Sequence, residues 1–385
     1  MERIRIGIIG MGYIGVSHIE ACRRIGFVEV VAVAGTNYEL AKAKADEYSI
    51  PKCYATVEQL LADPDIDAVH DCTPNFLHAE INEKIIRSGK HIFSEKPLAR
   101  LSEETKRVLD LLKEYPDTVA GVNFNYRMNP QLQEMKARVQ SGQCGKVLLV
   151  HGSYLQDWLL YETDYNWRIE PEISGPSRCI ADIGSHWMDS IQNITGAKIT
   201  EVFADLVTVF PTRKKAKTQV ETFSHNDGEI EYEEVPVKTE DYGAVMIRLD
   251  NGASGVFYVS EVSAGRGCYI NIEVDGAKES YEWNQQRCDE MWVGRRDGAN
   301  CLELRNPNSL APNAAQYTYL AKGHPEGWND AFKNNFMAFY TFIRDGKKLG
   351  TDKPDFATFE EADYIVRLTE AIIESSKTKQ WVKVK

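Results

Sequence analysis

No stretch of this 385-residue chain approaches the roughly 20 consecutive apolar residues that a bilayer-spanning helix needs, so no membrane protein is expected. Positive charge is also short. Lys and Arg number 45 against 57 Asp and Glu, a net charge of −12, which argues against nucleic acid or an anionic membrane as the main partner. Cysteine is present but unpatterned: residues 22, 53, 72, 144, 179, 268, 288 and 301 contain no Cys-x-x-Cys pair and no zinc spacing. No signal peptide fits ahead of the apolar run that begins at Ile4, so the thiols read as reduced and the expected location is cytoplasmic. There is no internal repeat. With 43% hydrophobic and 26% charged residues the chain can bury a full core, and its length suggests two domains.

What the chain does have is an orderly alternation. Strands are expected at Ile4–Ile9, Val28–Ala34, Ala68–Cys72, His91–Ser94 and Val119–Val122, with helical patterns between them. Gly26 and Gly89 stand where helix stops belong, and Thr56 with Gln59 has capping-box spacing. Short strands alternating with helices dictate a parallel sheet covered on both faces, a Rossmann-type domain over residues 1–125. Beyond residue 125 strand-like runs follow one another, with Asp250-Asn251-Gly252 and Asp275-Gly276 as hairpin-type turns. Residues 126–385 are therefore expected to form a second α/β domain built on a mostly antiparallel sheet. The stretch 211–240, where Arg213, Lys214, Lys215 and Lys217 precede an acidic run, reads as a solvated loop.

The first strand runs straight into Gly10-Met11-Gly12-Tyr13-Ile14-Gly15. Gly10 allows a tight turn, Gly12 lets backbone approach a pyrophosphate, and Gly15 permits close helix–strand packing. The following helix offers its unpaired N–H groups to the phosphates. One further absence bears on the ligand. The fingerprint expects Asp or Glu at the end of the second strand to bind the ribose 2′-hydroxyl, and this chain has Ala34-Gly35-Thr36-Asn37. No carboxylate there repels a 2′-phosphate and no arginine attracts it, so use of either NAD or NADP is expected.

Ligands of open α/β sheets gather at the carboxyl ends of the strands. Thr73-Pro74-Asn75 with His78, Glu95-Lys96-Pro97, and Asn123-Phe124-Asn125-Tyr126-Arg127 should all lie there. Lys96 reads either as a donor to a substrate hydroxyl or as a surface lysine in a turn. Asp182 and His186 are four apart near a helix start, so they share a face. They suit acid–base work or a purely structural pair, and no third ligand nearby supports a metal. His70, His151 and His225 have no motif context and read as structural. The long loop after residue 154 carries Gln156, Asp157, Trp158, Tyr161, Tyr165, Trp167 and Arg168, aromatic faces beside polar groups that suit a polyhydroxylated ligand. His324, in Gly323-His324-Pro325-Glu326-Gly327-Trp328, opens a tail helix and reads either as a cap on the same ligand or as part of a helix-entry turn.

Taken in order, Gly10-x-Gly12-x-x-Gly15, Thr73-Pro74-Asn75 with His78, Glu95-Lys96-Pro97 and Asp182-x-x-x-His186 resemble the Gfo/Idh/MocA family of NAD(P)-dependent dehydrogenases. The Gln156-Asp157-Trp158 and Gly323–Gly327 segments are similar to its branch acting on glucosides and anhydrosugars. The resemblance covers essentially the whole chain. It implies a cofactor site at Gly10, Gly12, Tyr13, Ile14, Gly15, Gly35, Thr36, Asn37, Thr73, Asn75, His78, Glu95, Lys96 and Asn125. It implies a substrate site at Arg127, Gln156, Asp157, Trp158, Trp167, Arg168 and His324. His186 would take the proton of a sugar or inositol hydroxyl, Lys96 would hold that oxygen, and Asp182 would orient the pair. A cis Lys96–Pro97 peptide and an open sheet facing a partner subunit in a dimer or tetramer are also implied. An NAD-dependent glycosidase and a non-catalytic dinucleotide-binding regulator are the alternatives on this scaffold. Gly175-Pro176-Ser177 departs from the glycine pair common in the family before the Asp182 segment.

Overall fold

Ile6, Ile8 and Ile9 are buried to within a percent of completely, so the first strand is apolar on both faces, as a central parallel strand must be. The computed structural model describes residues 3–35, 37–217 and 231–385; Thr36 and His225 lie outside them. Six strands, β1 (Ile4–Ile9), β2 (Val28–Ala34), β3 (Lys52–Tyr54), β4 (Ala68–Asp71), β5 (His91–Ser94) and β6 (Ala120–Val122), pair in parallel in the order β6-β5-β4-β1-β2-β3. Ala357–Thr358 adds an antiparallel seventh strand beside β6. Because β2 and β4 flank β1 on opposite sides, the strand order reverses there. The loops that follow β1 and β4 therefore open on one crevice at the carboxyl ends.

The chain divides into two compact units, and the expected boundary needs correction. The first unit is Met1–Asn129 with Glu326–Val366, and the second is Pro130–Pro325 with Arg367–Lys385. The tail helix Trp328–Arg344, expected in the second domain, belongs to the first. The reason is apolar: Phe332, Phe336, Phe339, Tyr340 and Phe342 enter one buried cluster with Ile6, Ile8, Ile19 and Cys22.

The second unit is built on a sheet of nine strands among the described residues. Val147–Leu155 and Ser254–Ser260 pair in parallel, and every other pairing in this sheet is antiparallel. The alternation along Tyr242–Leu249 shows its two-sidedness, with Val245 and Ile247 buried and Met246 exposed. Met246 stands opposite Val256, and Tyr258 follows on the same face, all three more than 40% exposed. The basic stretch is not a plain loop. Thr212–Ala216 pairs antiparallel with Tyr232–Pro236, and Arg213 is fully buried. Among the described residues no helix is long and apolar enough to cross a membrane.

Candidate active site

Three glycines after β1 serve different purposes. A side chain at Gly10, whose φ is +96°, would lie 2.4 Å from the Cys72 carbonyl oxygen, and one at Gly15 would lie 2.1 Å from the Gly10 carbonyl oxygen. Both are therefore required by the chain's own packing. A Cβ at Gly12 would meet nothing within 4 Å. Gly12 begins the Tyr13–Arg23 helix, which has no side-chain cap and no acidic residue in its first turn. Uncapped N–H groups beside open space fit the pyrophosphate of a dinucleotide. Tyr13 is exposed beside this turn, and Ile14 packs on the core. Gly35 ends β2. Asn37 caps the next helix by accepting from Leu40 N–H at 3.1 Å, and Lys42 is paired with Asp46.

The next loops are less uniform than the sequence suggested. Thr73 donates from its backbone and hydroxyl to Asp71 Oδ1 at 3.0 and 2.7 Å, and Asn75 starts the Asn75–Arg87 helix. His78, expected at the cofactor, is buried with its ring nitrogens 2.6 Å from the Pro97 carbonyl and 2.7 Å from the Thr73 carbonyl. It ties two loops together rather than facing a ligand. Glu95, also expected at the cofactor, turns inward: it accepts from His18 and Asn123, and from the Lys96 backbone N–H at 3.2 Å. Burial raises its carboxyl, but the His18 and Asn123 hydrogen bonds and nearby Lys96 outweigh this and leave it below the usual value. Lys96 follows at the end of β5, and the Lys96–Pro97 peptide is cis. Asn125 is buried with its Nδ2 lacking a partner among the described residues, a donor that a cofactor amide or hydroxyl would satisfy. Arg127, expected at the substrate, is 3% exposed and pairs with Glu361 at 3.0 Å. Its charge is used inside the first unit.

In the second unit Asp182 sits on a π-helical turn, Ile180–Gly184, and His186 on the Ser185–Thr195 helix that continues it. The four-residue spacing is thus not plain α-helical spacing, a local change common at functional sites. The turn is held from below. Glu240 Oε1 accepts from Ser177 Oγ at 2.5 Å, Arg178 N–H at 3.1 Å and Ile180 N–H at 3.0 Å, capping the turn with a buried carboxylate. Arg178 pairs with Asp241 and with Glu261 at 3.3 Å, all fully buried. Burial pushes Glu261 up to about 8, against the opposing pull of Arg178. Arg213 completes the cluster with Asp241 at 2.8 Å, and its guanidinium donates to the carbonyls of Leu159, Tyr161 and Asp164. The basic run therefore supplies the anchor of the aromatic loop.

On that loop Arg168 Nε lies 3.7 Å from Asp182 Oδ1, and its guanidinium stacks 4.4 Å above the Trp167 ring. Trp158 packs on the small cluster of Leu159, Ile169 and Val237, and Asp157 Oδ2 accepts from Gly265 N–H at 2.9 Å. Gln156 donates to the Tyr154 hydroxyl at 3.4 Å. His324 is exposed, and its carbonyl accepts from Arg305 at 2.6 Å. Tyr154 was missed by sequence reasoning. Its ring is 6.2 Å from that of His186, and its hydroxyl is 3.2 Å from Cys268 Sγ. Nothing in an ordinary strand sequence marks it. Elsewhere, His151 with Glu273 and Asp275 is the one trio of metal-type side chains among the described residues.

Two family models match the chain: "oxidoreductase family, NAD-binding Rossmann fold" over residues 4–124, and "GFO/IDH/MocA C-terminal domain" over residues 132–282. Levoglucosan dehydrogenase of Pseudarthrobacter phenanthrenivorans is 30% identical over 403 residues, covering 100% of this chain and 99% of that protein. A D-xylose 1-dehydrogenase (NADP(+)) of Haloferax volcanii is 27% identical over 97% of both chains. A solved structure of levoglucosan dehydrogenase in complex with NADH and levoglucosan matches 100% of both chains with a TM-score of 0.88 at 27% identity. With both family domains present in order and a relative aligned end to end, the chain belongs to the Gfo/Idh/MocA family of NAD-binding oxidoreductases.

Proposed function

We propose that this protein is an NAD(P)-dependent dehydrogenase that oxidises a ring hydroxyl of a neutral cyclic polyol, with an anhydrosugar such as levoglucosan first among candidates. The observation that carries the reading is the end-to-end similarity to levoglucosan dehydrogenase in a chain that keeps Lys96, Asp182 and His186. Bound at the glycine loop, a nicotinamide coenzyme supplies the hydride acceptor. His186 takes the hydroxyl proton on its imidazole. Lys96 donates a hydrogen bond to the same oxygen, and its charge stabilises the developing alkoxide. Asp182 orients this proton transfer. Its neighbour Arg168 is already engaged by Asp182 and by the Trp167 face, which favours an uncharged substrate over a sugar phosphate. Gln156 and Trp158 supply hydroxyl and ring contacts. We also assign self-association to the open sheet face bearing Met246, Val256 and Tyr258.

The test is a panel of anhydrosugars, pyranosides, inositols, sugar phosphates and linear alcohols with each coenzyme, read by reduced-nicotinamide absorbance. On the substrate found, Lys96→Ala and His186→Ala should each lower kcat by about 10²–10⁴ while coenzyme affinity is retained. Turnover confined to sugar phosphates or linear alcohols rejects the substrate class. Variants that each keep more than a tenth of wild-type kcat reject the catalytic assignment. Glycoside cleavage with no net reduced coenzyme marks the NAD-dependent glycosidase, and coenzyme binding without turnover marks the regulator.

A further inference from the structure

Glu95 is the near end of a chain of buried polar groups inside the first unit. Its Oε1 accepts from His18 Nε2 at 2.8 Å and from Asn123 Nδ2 at 2.5 Å, and its Oε2 accepts from the Lys96 N–H at 3.2 Å. Behind it, His18 Nδ1 lies 2.7 Å from His70 Nδ1 and 3.2 Å from Cys72 Sγ, and His70 Nε2 meets the Tyr340 hydroxyl. His18, His70 and Tyr340 are fully buried, wrapped by Phe93, Phe332 and Phe336. Asn335 donates to Asn123 Oδ1 at 3.0 Å and fixes the amide that serves Glu95.

Proton counting sets the direction of this chain. Burial first and His18 second hold His70 well below the usual histidine range, so its ring is neutral and carries one N–H. Two facing Nδ1 atoms need one proton between them. If His70 supplies it, Tyr340 donates to His70 Nε2; if His18 supplies it, His70 donates to Tyr340. An ionised Glu95 can only accept, so His18 Nε2 carries a proton toward it in either arrangement, and the second arrangement requires both His18 nitrogens to be protonated. A buried carboxylate is costly unless fully hydrogen-bonded, and here its donors leave one oxygen for the backbone of the residue that carries the ammonium.

We propose that His18 and His70 are positioning residues: through Glu95 they fix the Lys96 backbone, and with it the aim of the Lys96 ammonium at the substrate hydroxyl. This rests on the role given to Lys96 above. The other titratable groups around Glu95 are Cys22 on the Tyr13–Arg23 helix, Asp71 and Cys72 at the end of β4, Lys96 itself, and His78 beyond Asp71. Burial keeps Cys22, Cys72 and Tyr340 protonated, and it raises Asp71 against the pull of His78. Of the groups that hold Glu95 ionised, His18 is the largest, ahead of Asn123 and Lys96, and a single substitution removes it.

Removing that donor in His18→Leu leaves the burial and takes away the opposing hydrogen bond, so the Glu95 carboxyl climbs toward neutrality. The ratio of kcat in His18→Leu to wild type should then fall about tenfold for each pH unit below the new pKa, since a tenth of the carboxylate remains per unit. His18→Gln, which still offers an N–H, should restore a flat ratio. Taking the ratio removes any pH dependence common to both enzymes. Infrared titration should show a protonated-carboxyl band in His18→Leu at the same pH, absent when Glu95→Gln is added. ¹⁵N-labelled wild-type protein should show a proton on His18 Nε2 and a single ring proton on His70, and this measurement needs no variant to fold. A flat ratio in His18→Leu, a missing carboxyl band, or a bare His18 Nε2 overturns the proposal. The infrared and ¹⁵N arms do not depend on turnover, so full activity in Lys96→Ala would condemn the functional reading separately.

Discussion

At Gly12 the structure separates folding from binding. A Cβ there would meet nothing within 4 Å, so Gly12→Val should keep the wild-type melting temperature while coenzyme affinity by calorimetry falls at least about tenfold, roughly 1.4 kcal/mol. Gly15→Val should do the reverse and lower the melting temperature, because its Cβ collides with the Gly10 carbonyl. Unchanged coenzyme affinity in Gly12→Val would remove the dinucleotide from this loop. Coenzyme choice is a second residue-scale matter. Asn37 is committed as a helix cap and Lys42 to Asp46, so neither strongly rewards a 2′-phosphate, and no carboxylate at Gly35 repels one. The kcat/KM values for NAD and NADP should differ by less than about 100-fold, roughly 2.7 kcal/mol; a thousandfold preference refutes this. The strand-to-helix turn at Gly10–Gly15 and the strand-end position of Lys96 were legible because backbone geometry constrains residue type locally. The inward turn of Glu95, the bridging of His78 and the pairing of Arg127 with Glu361 were not, since each depends on a partner remote in sequence.

Among the elements, the π-helical turn carrying Asp182 depends on charges stored beneath it. Glu261, with its pKa raised to about 8, lies above its ordinary value, so between the ordinary carboxylate range and pH 8 the folded chain holds a proton that the unfolded chain has released. That contribution is present in full at low pH and disappears as pH rises through 8. Wild-type stability should therefore decline over this window, by up to about 1.4 kcal/mol per pH unit for one proton, and Glu261→Gln should flatten the decline. Melting temperatures at pH 5 and pH 9 decide it, and parallel slopes in both proteins would refute the assignment. Most strands and helices of the first unit were readable from apolar runs and glycine stops. The Thr212–Ala216 ribbon was not, because a run of arginine and lysine gives no strand signal, and buried Arg213 is satisfied by Asp241 and three carbonyls of another loop. Glu240 ends what looks like a solvated acidic run and Asp241 follows it, yet they cap the turn and pair two arginines.

For the whole molecule, the sheet face with Met246, Val256 and Tyr258 predicts its own assay. Tyr258→Asp with Val256→Asp should shift the sedimentation coefficient to that of a smaller species while melting remains cooperative, since these side chains are exposed and support no core. An unchanged coefficient would place any self-association elsewhere. The two-part architecture was legible, but its boundary was not: periodicity locates the Trp328–Arg344 helix without saying which sheet its phenylalanines cover. That assignment has a consequence for synthesis. A ribosome releases β1 to β6 early, yet the cluster under them needs Phe332, Phe336, Phe339 and Phe356, which emerge only after residues 130–325 of the second unit. Translation at about 5–20 residues per second leaves the nascent sheet uncovered for many seconds, so the strands made first wait for helices made much later. Chains halted before residue 326 should then be prime clients of chaperones and proteases, with an unfinished first unit tethered to a second that still lacks Arg367–Lys385.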